Sequence, residues 1–164
     1  MQDFYKEAQN HYRLGQQKEA LELYQKGISD GDEKCWYGYA ICLADDVCAD
    51  ENNSEIMKII AEHFKAIKAL ADTGDVQAMT IVACCHLYNL IEDASAETYW
   101  RYMITSAKQG DSEAQYLIGR DYQFGFFIEQ NVEEAVKWYM LSAEQGDPEA
   151  QLWLQYLYEQ GKEI

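Results

Sequence analysis

Apolar and polar positions along this chain follow the three-and-four spacing of amphipathic helices, broken at near-regular intervals by a Gly-Asp pair. The pairs are Gly31-Asp32, Gly74-Asp75, Gly110-Asp111 and Gly146-Asp147. Gly74, Gly110 and Gly146 stand 36 residues apart, while Gly31 precedes Gly74 by 43, so that unit holds seven extra residues. Four residues after each glycine comes a small side chain: Cys35, Ala78, Ala114 or Ala150. Eight after comes Tyr39, Val82, Ile118 or Leu154. The last two joints are near twins, SAKQGDSEAQ and SAEQGDPEAQ.

Each pair reads as a tight joint between helices. Glycine accepts the left-handed conformation that ends a helix. Aspartate then caps the next helix and suits the positive end of its dipole. Pro148, the sole proline, falls at the first helical position after Asp147, where a missing N–H costs nothing. The pattern predicts helices over 3–14, 17–30, 32–44, 55–73, 75–88, 96–109, 111–123, 132–145 and 147–160. These form four helical hairpins (3–30, 32–73, 75–109, 111–145) and a final lone helix. One hairpin cannot bury its apolar face alone, so the expected fold is all-α: a right-handed α/α superhelix, or solenoid, in one domain over 1–164.

The segments Ala114–Gly125 and Ala135–Gly146 carry a family likeness. Ala114, Gly119, Tyr122, Gly125, Ala135, Trp138, Tyr139, Ala143 and Gly146 match the Sel1-like repeat without a gap, with Ile118, Ile128 and Ser142 as close replacements. Phe127 stands where that pattern has a second turn glycine, so this turn is expected to differ locally. The resemblance thins toward the N-terminus, where Ala8, Tyr12, Ala20 and Tyr24 look as much like a tetratricopeptide hairpin. It implies a non-enzymatic scaffold that holds other proteins, and it brings no catalytic residues. Trp138 and Tyr139 are expected in the core rather than in a binding site, from helical spacing.

Charge narrows the partners. The net charge is −16, so duplex nucleic acid and anionic membrane surfaces are unsuited as ligands, and a protein or peptide with a basic surface is the natural partner. Acidity for solubility alone is the competing explanation. No apolar run has the length of a signal peptide or a membrane span. The odd cysteine count (Cys35, Cys42, Cys48, Cys84, Cys85) suggests reduced thiols and a cytoplasmic setting.

Candidate chemistry is sparse. No phosphate loop or nucleophile motif is present, and His11, His63 and His86 fall on different predicted helices. Cys84-Cys85-His86 cannot share one metal, since helical neighbours point about 100° apart. A site joining Cys35 or Cys42 to the later thiols is conceivable, but packing as small apolar residues is the expected role, and no metal or cofactor is expected. The acidic stretch Asp45–Glu55 lacks the order of an EF-hand and reads as a solvated loop. A thiol- or metal-dependent enzyme is therefore the third reading. An acidic neutralising partner of immunity or anti-activator type is the second.

In the leading reading, an adaptor grips a partner's peptide or helix in a concave groove. Places six and ten after each glycine line that face: Tyr37 and Ile41, Thr80 and Cys84, Tyr116 and Arg120, Leu152 and Tyr156. Sideways packing of the tyrosines between repeats is the alternative. The last helix, LWLQYLY, is apolar on nearly every side, so self-association as a homodimer or docking of a partner is expected there, through Trp153 and Leu157.

Overall fold

A computed structural model describes residues 3–46 and 53–161. Those residues form nine α-helices and no strands: α1 (Phe4–Arg13), α2 (Gln17–Ser29), α3 (Lys34–Asp46), α4 (Asn53–Asp72), α5 (Val76–Leu87), α6 (Ala96–Lys108), α7 (Ser112–Phe124), α8 (Val132–Glu144) and α9 (Pro148–Glu159). Each predicted helix is present, with ends moved by no more than about two residues. Cys48 and most of the acidic loop expected over 45–55 lie outside the described residues. Among the described residues no helix is long and apolar enough to cross a membrane.

The joints form by the local chemistry expected of them. Gly110 and Gly146 take φ of +98° and +88°, reversing the chain within one residue. The next aspartate then caps the following helix: Asp111 Oδ1 accepts from the Ala114 N–H at 2.8 Å, and Asp147 Oδ1 from Ala150 at 2.9 Å. Asp75 caps α5 in the same way through Ala78. The first joint differs: Asp32 bonds the Lys34 N–H, and α3 begins there. Asp147→Ala removes a buried cap, so it should cost about 1 kcal/mol of stability. Urea unfolding checks this, and an unchanged midpoint would contradict the cap's role.

Packing divides the chain into two compact units, Met1–Ala94 and Ser95–Ile164. In the first, each helix packs on its sequence neighbour, and α3 also touches α1 and α5. Polar ties hold this register. Lys34 Nζ reaches Asp75 at 3.3 Å and Gln77 at 2.8 Å, joining the starts of α3 and α5. Trp36 of α3 stacks on His63 of α4 with ring centroids 4.3 Å apart, while Glu33 sits 2.8 Å from the same imidazole.

The second unit packs α6 on α7, α7 on α8 and α8 on α9. Its core joins Ala135, Val136, Tyr139, Ala150 and Leu157. Tyr139 is fully buried, as the sequence predicts for the Trp-Tyr pair, and donates to Gln123 at 2.7 Å. Trp138 is only half-buried. Gly119 lies in α7 directly against the Tyr139 ring, where a side chain of its own would collide.

Candidate functional site

The groove residues expected from the sequence fall into both units, and their accessibility differs sharply. In the first unit, Tyr37, Thr80 and Cys84 are buried and Ile41 is half-buried. Thr80 and Cys84 are each 2% exposed, which corrects their placement on an open face. The reason is the composition of α5, VQAMTIVACCHL, whose middle carries no charged or strongly polar side chain. A helix apolar all round is buried all round.

The thiols follow the same rule. Cys35, Cys42, Cys84 and Cys85 are free and buried. Burial pushes the Cys35 and Cys85 thiols up to about 12, with Asp32 adding to the effect at Cys35. Such thiols stay protonated at neutral pH, unsuited to nucleophilic or redox work. Among the described residues, no group of three His, Cys, Asp or Glu side chains is placed to hold a metal ion.

In the second unit the expected residues do reach the surface. Leu152 and Tyr156 stand one turn apart on α9, 65% and 47% exposed. Tyr116 and Arg120 stand one turn apart on α7, both half-buried. Tyr116 packs its ring 6.0 Å from Tyr139. Its phenol is pushed up to about 12, chiefly by burial and then by the Glu149 carboxylate beside it, so it remains a neutral donor. The same interactions place Glu149 and Trp153 of α9 next to Tyr116 of α7. This is a mixed face with apolar, aromatic, cationic and anionic groups within reach of one another.

The final helix behaves differently from expectation at one position. Leu157 is fully buried in the core, and so cannot join a contact with another molecule. It faces α8, because positions 150, 153, 154 and 157 form one helical stripe packed on the Ala135–Tyr139 surface. Trp153 lies at the edge of that stripe and is half-buried. It meets Phe124 edge-on at 5.4 Å and Tyr156 at 5.6 Å. Phe124 in turn contacts Phe126 at 5.6 Å. Phe124 and Phe126 were not among the sequence candidates, although an apolar Phe-Gly-Phe-Phe run in a turn is an unusual signal.

Beneath this face lies a buried carboxyl. Asp121 of α7 has no solvent exposure, and it accepts a hydrogen bond from the Tyr99 hydroxyl of α6. Arg120 Nη2 stands 3.8 Å from its other oxygen, beyond hydrogen-bond reach. Loss of water pushes Asp121 up to about 6, against the opposing pull of Tyr99 and Arg120.

The Sel1 repeat family model matches residues 11–32 and 112–147. Both of those segments match the Sel1 repeat. A Sel1 repeat protein from Oxalobacter formigenes has a similar structure, with a TM-score of 0.56 and 21% identity over 98% of this chain and 64% of that one. A protective antigen of uropathogenic Escherichia coli strains, displaying an SLR fold, gives a TM-score of 0.56 at 23% identity over 88% of this chain and 30% of its own. The chain thus spans less than two thirds of either neighbour's length. No curated protein sequence matches it. At these identities the neighbours establish the all-α helical-repeat solenoid fold alone. The matched segments end at the Gly31-Asp32 and Gly146-Asp147 joints and leave residues 33–111 unmatched. Sel1 repeat proteins are in general protein-interaction scaffolds, typically without enzymatic activity.

Proposed function

We propose that this chain is a scaffold whose second unit holds a basic segment of a partner protein on the face built by Tyr116 and Arg120 of α7 and Leu152 and Tyr156 of α9. The observation that carries this reading is the exposure of Leu152 and Tyr156 one helical turn apart, next to the half-buried pair on α7. Two apolar anchors at that spacing suit a helix or an extended peptide. The net charge of −16 favours a basic partner and gives fast, salt-sensitive association. A cleft of about 420 Å³ in the first unit, lined by Asp30, Asp32, Glu33 and Asp75 with Lys34 as its cation, is net acidic and adds to the same preference.

A photocrosslinking side chain at Leu152, compared with one at the exposed Lys137 of α8, tests this reading in the source cell. Defined protein adducts at Leu152 and none at Lys137 are expected. Adducts equally abundant at both positions, or absent from both, would overturn it.

A further inference from the structure

We propose that the ladder Phe126–Phe124–Trp153–Tyr156 docks a basic amphipathic helix, with lysine or arginine heads seated on its rings and apolar side chains against Leu152 and Tyr156. This rests on the scaffold reading and adds the place and the chemistry of the contact. The four rings run continuously, with successive centroids 5.6, 5.4 and 5.6 Å apart. Phe124, Phe126 and Tyr156 are each nearly half exposed. Isolated exposed apolar side chains are ordinary, whereas a contiguous aromatic row marks a contact surface.

The row is also fixed in place. Gly125 closes α7 in the left-handed conformation, and the Gly125 and Phe126 N–H groups both bond the Asp121 carbonyl, at 2.9 and 3.0 Å. Phe127 then rests its ring on Tyr99 at 4.8 Å, holding the far side of the turn. A prearranged surface loses little entropy when a partner settles on it.

Charge selects the occupant. Between Arg120 and Lys137 the carboxylates that reach the surface are Glu129, Glu133 and Glu134, the last paired with Lys137 at 2.5 Å, while Asp121 is buried. On α9 the carboxylates that reach the surface are Glu149 and Glu159, with no lysine or arginine on that helix, while Asp147 is buried at its cap. Glu149 lies beside Tyr116 and Trp153, and Glu159 follows Tyr156 by three residues on the same helix. A second copy of this chain would bring those carboxylates against their own kind. A basic helix meets them with opposite charge, and its cations gain further from the exposed ring faces.

The probe is a synthetic helix of repeated Leu-Lys-Lys-Leu, titrated into the full chain by calorimetry, with a Leu-Glu-Glu-Leu helix as its counterpart. Saturable binding of the lysine helix is expected, weakening with salt, with none for the glutamate helix. The double variant Phe126→Ser/Tyr156→Ser changes no charge and touches exposed positions only. It should bind the lysine helix on the order of tenfold more weakly, with its melting curve and light-scattering mass unchanged. Equal affinity in the double variant would overturn the ladder, because attraction by charge alone would then account for binding. A wild-type dimer that the same variant dissociates would overturn it in favour of a second copy. Neither result touches the scaffold reading, which fails separately at the Leu152 crosslink.

Discussion

Gly119→Val should destabilise the chain by about 3 kcal/mol, the upper end of what overpacking costs. A Cβ at Gly119 would lie 2.7 Å from two carbons of the Tyr139 ring and 3.2 Å from the Ala135 carbonyl oxygen. Neither neighbour can withdraw. Tyr139 is fully buried, its hydroxyl is tied to Gln123, and its ring packs 6.0 Å from Tyr116. The carbonyl belongs to the backbone of α8. The melting temperature should therefore fall by roughly 10 °C. Gly119→Ala should fall between the two, since alanine recovers up to about 1 kcal/mol of helix propensity while meeting the same ring. In the double variant Gly119→Val/Tyr139→Leu the losses should be less than additive, because the smaller side chain vacates the space that valine needs. Strict additivity would mean that the glycine serves some purpose other than close helix approach.

That glycine also shows which parts of this fold can be read from sequence. The joints were legible because their chemistry is local: a left-handed glycine and a capping aspartate act on atoms within four residues. Helix ends therefore came out close to prediction throughout. Close approach is not local. Gly119 stands within the segment that matches the Sel1 repeat, whereas Gly38 meets the Tyr24 ring of the preceding helix, outside the matched segments. Phe127 occupies a turn position suited to glycine, and it keeps the left-handed conformation with φ of +57° while its ring packs on Tyr99. The groove was legible in part. Leu152 and Tyr156 are open, because α9 has one packed stripe and one free side. Tyr37, Thr80 and Cys84 are inside, because counting places from the glycine assigns a face without knowing what covers it, and Leu157 is inside because an all-round apolar helix does not show which stripe packs. Phe124 and Phe126 join Trp153 only when α7 and α9 come together, and spacing within one repeat cannot express that.

Asp121 should make stability fall as pH rises from about 4 to about 6, and Asp121→Asn should flatten that fall. In the native state the carboxyl is buried, and its pKa is pushed from 3.8 up to about 6. Below 3.8 both the folded and unfolded chains hold the proton, and the site contributes no pH dependence. Between the two values the folded chain keeps a proton that the unfolded chain has released, so each step up in pH favours unfolding. Above the native value both are ionised, and the loss levels off at about 3 kcal/mol. The groups facing the carboxyl are the Tyr99 hydroxyl from α6, Arg120 on its own helix and Tyr139 from α8. Tyr99 and Arg120 both favour the ionised form, so the rise is the net result of desolvation overcoming them. Other carboxylates also titrate in this range, and the useful quantity is the difference between wild type and variant at each pH. That difference should change by about 3 kcal/mol across the window, since asparagine cannot ionise. Tyr99→Phe removes a bond that favours the ionised form, so its fall should extend to higher pH. Wild-type and Asp121→Asn curves that run parallel from pH 4 to pH 8 would show that this carboxyl is already ionised in the native chain at acid pH. The buried carboxyl of α7 would then be held by an ion pair with Arg120 rather than by a proton.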